Sequence, residues 1–230
     1  MSELPQQSIA EGRSTATTFD AIVIGAGIAG LYMLYQLRAI GLSARVYEAA
    51  KGVGGTWYWN RYPGCRCDCP SVYYAYSFSP ELEQEWVWTE KFPSQPEILR
   101  YLNHVADRFD LRRDIQFETR VTAATYDETT KQWRIETDKG DVVQATYCIT
   151  AVGCLSAPTI PPIKGMETFA GQIYQTARWP ETEVDFTGQR VGVIDTGSTG
   201  IQIVPFIAQQ AAQLTVFQRT PNYSLPARNE

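Results

Sequence analysis

The sequence predicts an α/β fold made of two strand, glycine-turn, helix, strand units, the second partial, with a β-meander between them. Residues 20–48 pass from an apolar run, Ala21-Ile22-Val23-Ile24, through closely spaced glycines into a helical stretch at 28–40, then out through Ala44-Arg45-Val46-Tyr47-Glu48. The same order returns at 190–194, a glycine-bearing turn, 201–209 and 214–218. Between the two units, 115–125, 132–137 and 142–152 alternate in polarity around the turn segments 127–131 and 138–141.

A chain of 230 residues, 44% hydrophobic, suffices for one large domain or two small ones with cores of their own. Its net charge of -5 argues against a nucleic-acid or anionic-membrane partner, either of which favours a basic surface. The polar N-terminal stretch lacks the apolar segment of a signal peptide and predicts a flexible tail over 1–19. The apolar stretches 21–37 and 191–207 are broken by glycines and polar residues, so no membrane span is expected. Five cysteines, an odd number, fit a reducing, cytoplasmic setting rather than a disulfide scaffold. Cys65, Cys67 and Cys69 alternate with Arg66 and Asp68, but this spacing differs from CxxC pairs and His104 is the only histidine, so no metal is expected.

Gly25-Ala26-Gly27-Ile28-Ala29-Gly30 lies between a strand and a helix, the context in which GxGxxG signals dinucleotide binding. Gly25 permits the tight turn, Gly27 lets backbone N–H groups approach a pyrophosphate, and Gly30 allows close helix–strand packing, while the helix dipole favours the anion. Gly41 stands where a helix stops. Glu48 ends the second strand, where a carboxylate accepts hydrogen bonds from ribose hydroxyls and repels a 2′-phosphate.

Residues 51–80 read as a long structured loop, since Trp57, Tyr58, Trp59, Tyr62, Tyr73, Tyr74, Tyr76 and Phe78 offer too much apolar surface to leave in water. A helix follows at 96–109, with Ile98, Leu99, Leu102, Val105, Ala106 and Phe109 on one face and His104 as a core or surface-pocket residue. After the meander, a proline-rich connector at 157–162 marks a domain boundary within 157–186. The second turn reads Asp195-Thr196-Gly197-Ser198-Thr199-Gly200-Ile201, and its unit closes with Arg219-Thr220, where a cation faces the 2′-phosphate of NADP. Two such units suggest two nucleotides.

Three motifs carry a family resemblance. Gly54-Gly55-Thr56-Trp57 follows the first turn, the loop 61–68 reads Arg-Tyr-Pro-Gly-Cys-Arg-Cys-Asp, and 169–180 fits FxGxxxHxxxWP except at Gln175, which stands for the histidine. In these the chain resembles the N-terminal portion of the Baeyer–Villiger monooxygenases, from residue 20 onward. The resemblance implies a Rossmann-like FAD-binding domain at 20–156, a linker at 157–186 and part of a Rossmann-like NADP-binding domain at 187–230. It implies FAD and NADPH as cofactors, with a small-molecule ketone and O₂ as substrates. It also implies catalytic roles for Arg66 and Asp68 near flavin and nicotinamide, and cofactor contacts from Gly55, Thr56, Trp57, Cys67, Tyr74 and Val121. NADPH is assigned to Thr196, Gly197, Ser198, Thr199, Gly200, Ile201, Arg219 and Thr220.

Asp195 stands where the family has a glycine, which places a carboxylate near the NADPH pyrophosphate and predicts weakened binding. Members of the family run well past residue 230, so most of the substrate pocket is expected outside this chain. Two other readings are a monooxygenase acting on nitrogen or sulfur, and a non-catalytic flavin-binding fragment that self-associates through exposed apolar surface.

Overall fold

The computed structural model describes residues 17–225, 228 and 229. Of the tail expected over 1–19, residues 1–16 lie outside the described residues. Thr17 already opens the first strand, β1 (Thr17–Ile24). Helix α1 (Ile28–Ala39) and strand β2 (Ala44–Tyr47) complete the first unit. The α1 helix ends as the glycine predicts: Gly41 takes φ 80, and the Gly41 and Leu42 N–H groups donate to the carbonyls of Arg38 and Leu37.

A six-stranded sheet runs in the order β3-β2-β1-β6-β5-β4, where β3 is Ile115–Gln116, β4 Val121–Asp127, β5 Gln132–Thr137 and β6 Val142–Thr150. The strands β3, β2, β1 and β6 are parallel, while β5 and β4 are antiparallel additions. The meander is therefore not a separate layer, because its last strand lies beside β1 at the centre of the sheet. Its first expected run, 115–125, is two strands. Ile115–Gln116 pairs with Val46–Tyr47, and the chain then turns at Glu118, φ 52, before β4 begins. Periodicity alone could not divide this run, since both halves alternate and the break depends on which strand each half pairs with.

The sheet separates two apolar clusters. Ala21, Val23 and Val46 face Leu31, Leu34 and Leu37 of α1, in one core with Ile98, Leu102 and Val105 of α4 (Gln95–Arg108). Ile22, Tyr47, Ile135, Val143 and Ala145 fill the other face. Side chains alternate across a strand, so consecutive residues of β1 serve opposite cores. The Arg38 guanidinium ties the two helices together by donating to the carbonyls of Phe109 and Asp110 just past the end of α4.

The loop expected over 51–80 is ordered and carries two short helical turns, α2 (Thr56–Trp59) and a 3₁₀ turn at Ser71–Tyr73. A further helix, α3 (Pro80–Glu85), begins at Ser79, whose Oγ accepts from the Leu82 N–H. Its signal was present in the sequence as a serine cap followed by proline at the first helical position.

Residues 157–186 form no strand; they contain single 3₁₀ turns at Met166–Thr168 and Thr176–Arg178. Trp179 and Phe186 anchor this connector in the main core, in contact with the cluster that includes Ile203 and Ile207. The second unit is β7 (Arg190–Ile194), α5 (Ser198–Ala208) and β8 (Gln213–Phe217), with β7 and β8 parallel. Among the described residues, no helix is long and apolar enough to cross a membrane.

Leu102 is fully buried between α4 and the sheet. Leu102→Ala is expected to lower unfolding stability by about 2–5 kcal/mol, read from the denaturant midpoint. A loss under about 1 kcal/mol would mean that α4 does not anchor this core.

Candidate nucleotide sites and the loop between them

At the first turn, glycine is required sterically. Gly25 takes φ 103, and a Cβ there would lie 2.7 Å from the Ala151 carbonyl oxygen; a Cβ on Gly30 would overlap the Gly25 carbonyl oxygen. Gly27 caps α1 with no side-chain hydrogen bond and faces Gly55 backbone to backbone, since a Cβ on Gly55 would come within 2.9 Å of the Gly27 Cα. Two bare backbones thus flank the positive end of a 12-residue helix, a cradle that fits a pyrophosphate and that side chains would fill. Glu48 follows the carboxyl end of β2 and is buried. Its Oε2 accepts from the Ala26 N–H at 2.6 Å and its Oε1 from the Ala50 N–H at 2.7 Å. Each oxygen keeps a lone pair, so the carboxylate can hold the turn and still accept from a ribose hydroxyl.

From the cradle the chain enters α2. The Trp57 indole N–H donates to the Tyr74 hydroxyl at 2.8 Å with the rings edge to face, and the Gln95 amide donates to the Trp57 carbonyl. Thr56 opens α2 directly after Gly55. Further along, Arg66 is held twice. Its guanidinium donates to the Phe92 carbonyl at 3.0 Å and pairs with Glu90 at 3.4 Å, and its backbone bridges to Ser94. Asp68 is exposed in the bend that follows, while Cys67 is buried and donates its N–H to the Pro93 carbonyl. Val121 lies apart from this group, at the start of β4 against the second cluster.

The second turn repeats the first in detail. Asp195 takes the place of Gly25: it has φ 109, donates its N–H to the Phe217 carbonyl as Gly25 does to Tyr47, and its carbonyl oxygen would lie 2.5 Å from a Cβ on Gly200. Gly197 caps α5 as Gly27 caps α1, and Ile201 donates to Gly197 as Leu31 does to Gly27. The Asp195 Oδ2 would lie 3.1 Å from a Cβ on Gly197, so the carboxylate stands over the cradle. By this repeat Gln218, not Arg219, is the counterpart of Glu48, since each follows the residue that receives the turn's N–H bond. Gln218 donates to the Thr196 hydroxyl at 2.8 Å, and Arg219 and Thr220 are exposed just beyond it.

Gln202, in α5, joins the two units. Its Oε1 accepts from the Tyr62 hydroxyl at 2.8 Å and the Arg66 N–H at 3.2 Å, while its Nε2 donates to the Arg66 carbonyl at 3.0 Å. Phe206, one turn later, closes on Gly64, where a Cβ would also lie 2.5 Å from the Gln202 carbonyl oxygen. Thr199 lies 3.5 Å from the Tyr62 hydroxyl. Sequence reasoning missed Gln202 because a glutamine on a helix carries no motif; its one signal is its place two residues after Gly200, facing back over the turn. Gln175 donates to the Thr159 carbonyl at 3.0 Å and holds the connector to itself.

The family model described as pyridine nucleotide-disulphide oxidoreductase matches residues 22–227. An acetone monooxygenase (methyl acetate-forming) from Gordonia sp. (strain TY-5) is 51% identical over 94% of this chain and 40% of its own length. The phenazine N-monooxygenase PhzNO1 of Lysobacter antibioticus is 48% identical over 92% of this chain and 39% of its own length. Among solved structures, an oxidized steroid monooxygenase bound to NADP is 61% identical and superposes with a TM-score of 0.89, covering 93% of this chain and 41% of that one. The chain spans about two fifths of the length of the curated relatives it matches.

Around this loop, burial acts on titration in one direction. It pushes the Cys65 thiol up to about 11 and Cys67 to about 12, and raises Tyr62 and Tyr74 as well. Each group keeps its proton in the folded chain after the unfolded chain has begun to release it, near 9.0 for the cysteines. Stability is therefore full below pH 9.0 and falls as pH rises towards about 12. Urea midpoints should drop across that window, and less steeply in a Cys65→Ala, Cys67→Ala double variant. Equal slopes would show that these thiols are not buried.

Proposed function

Since the chain belongs to the pyridine nucleotide-disulphide oxidoreductase family, we propose that it forms the flavin-binding domain and part of the NADPH-binding domain of a Baeyer–Villiger-type monooxygenase. The observation that carries this reading is the Gln202 lock. It holds the helix of the second glycine turn against Arg66, on the loop that continues from the first. Two dinucleotides laid on the two turns would direct their reactive ends toward that loop.

When bound, FAD would supply the hydride acceptor for NADPH and the O₂ chemistry that inserts one oxygen beside a ketone carbonyl. In this proposal the bare backbones of Gly25, Gly27, Gly30 and Gly55 hold the FAD pyrophosphate, Glu48 takes the ribose hydroxyls, and Trp57 with Tyr74 walls the flavin. Arg66 supplies positive charge and Asp68 negative charge where flavin and nicotinamide meet, on a loop anchored by buried Tyr62, Cys65 and Cys67. Thr196 to Gly200 take the NADPH pyrophosphate. Neutral Gln218 followed by Arg219 and Thr220 suits a 2′-phosphate, which a carboxylate at that position would repel.

The relative that forms methyl acetate from acetone, an ester from a ketone, supports a ketone substrate. The likeness to a phenazine N-monooxygenase supports a second reading, oxygen transfer to nitrogen. We assign 20–156 to the flavin domain, 157–186 to the linker and 187–230 to the second nucleotide domain. A cytoplasmic location fits five unpaired cysteines. The exposed apolar side chains of Ile194, Ile201, Phe206, Val216 and Phe217 support self-association of the chain.

The purified chain should carry flavin that bleaches anaerobically on addition of NADPH, and a protein that joins this chain to the rest of the substrate pocket should, with O₂, turn a ketone into an ester or lactone. Flavin that binds but stays oxidised would place the defect in the second unit. An N-oxide from an aromatic amine, with no ester, would favour the second reading. A like charge about 5 Å away costs roughly 3 kcal/mol at an effective dielectric near 20, before screening. Asp195→Gly is therefore expected to tighten NADPH binding by about tenfold, the remainder being lost to screening. Unchanged affinity would mean that the carboxylate swings clear of the pyrophosphate. Arg219→Ala should remove most of the preference for NADPH over NADH, measured by titrating both.

A further inference from the structure

Cys67 and Cys69 flank Asp68, and their Sγ atoms lie 3.2 Å apart. A disulfide bond is about 2.05 Å long, so the sulfurs need to close by roughly 1 Å. Asp68, between them, is exposed in a bend rather than paired in a strand. The two thiols differ in setting: Cys67 is buried, and Cys69 is half-buried against the main core. Burial shields the Cys67 sulfur from direct contact with a peroxide, and Cys69 is the more accessible of the two.

We propose that Cys67 and Cys69 form a reversible dithiol switch, oxidised by a hydroperoxide to an intramolecular disulfide that re-aims Asp68 and weakens flavin binding. Cys69, as thiolate, attacks the terminal oxygen of hydrogen peroxide. The O–O bond breaks, water leaves with the thiol proton, and Cys69 becomes a sulfenic acid. The Cys67 sulfur then attacks the Cys69 sulfur, the S–O bond breaks, and the hydroxyl departs as water with the Cys67 proton. Two thiols and one peroxide become one disulfide and two waters, the sulfurs losing the two electrons that the peroxide gains. Asp68 lies inside the closed ring, so its backbone and carboxylate must turn. A ring spanning one residue is strained, which places the couple among the easily reduced, regulatory disulfides, and a small thiol reopens it.

A metal is the rival occupant, since the Cys67 sulfur, an Asp68 oxygen and the Cys69 sulfur lie within 4.8 Å of one another. Three ligands from consecutive residues fall short of the usual four.

The disulfide half of the proposal stands alone; its effect on flavin rests on the function proposed above. The test treats the purified 230-residue chain with equimolar hydrogen peroxide, alkylates free thiols after denaturation, and maps peptides by mass. The expected result is a Cys67–Cys69 peptide lighter by two hydrogens and closed to alkylation, reopened by dithiothreitol. The FAD dissociation constant, read by flavin fluorescence, should rise by about tenfold on oxidation, the loss of roughly one charge-assisted hydrogen bond, and should not move in Cys69→Ser. Both cysteines alkylated, Cys69 carried on to the sulfinic acid with Cys67 free, or stoichiometric zinc that blocks the reaction would each overturn the switch. Flavin affinity unchanged by a fully formed disulfide would overturn it too. A chain that binds no FAD would count against the proposed function, and the peptide map would still decide the pair.

Discussion

The structure depends on one close approach, that of α1 to the turn at the carboxyl end of β1. There Gly30 meets the Gly25 carbonyl with no room for a side chain, and Gly25 itself is pressed against Ala151. This contact lets the helix begin directly over the strand end, so that its first-turn N–H groups point into the cleft. It also fixes how Leu31, Leu34 and Leu37 reach the sheet. A larger residue would lift the helix and open both the core and the cradle. The second unit uses the same contact between Gly200 and residue 195, and there the fold holds an aspartate at φ 109. The fold thus survives where the electrostatics of the cradle are altered.

The loop between the two units owes its shape to neighbours far away in the chain. Tyr62, Gly64 and Arg66 are held by Gln202 and Phe206 of α5, and Arg66 is held from the other side by Phe92, Glu90 and Ser94. An amide that both accepts from and donates to one residue's backbone acts as a short strand partner, and it satisfies polar groups that the loop would otherwise bury unpaired. Arg66 is thereby placed relative to both glycine turns at once. Any shift of α5 must be felt at Arg66 through these bonds, which gives the second nucleotide unit a direct mechanical path to the first.

Aromatic packing supports this arrangement from beneath. Tyr76 donates to the Ile28 carbonyl at 2.6 Å and accepts nothing in exchange from α1, while its own N–H donates to the Tyr101 hydroxyl at 2.8 Å. Phe78 stacks on Tyr35 of α1 and meets Phe109, beyond α4, at a tilt. The long loop is thus fastened to both helices of the main core, which explains why a segment of such irregular backbone is ordered.

By itself the sequence determined the two nucleotide units, the steric demand for glycine at 25, 27 and 30, the acid at the end of β2, and the helix over α4. These are local properties, written in hydrophobic period, in the absence of a Cβ and in short motifs that act within a few residues of one another. Tertiary structure alone decided the rest. It divided the run at 115–125 between two edges of one sheet, put β6 beside β1, made Gln218 the counterpart of Glu48, and set Gln202 against Arg66 and Cys67 against Cys69. Most of these depend on where strand pairing and helix packing have carried distant backbone, while the approach of Cys67 to Cys69 depends on how the loop bends at Asp68, and no residue's own preference encodes either.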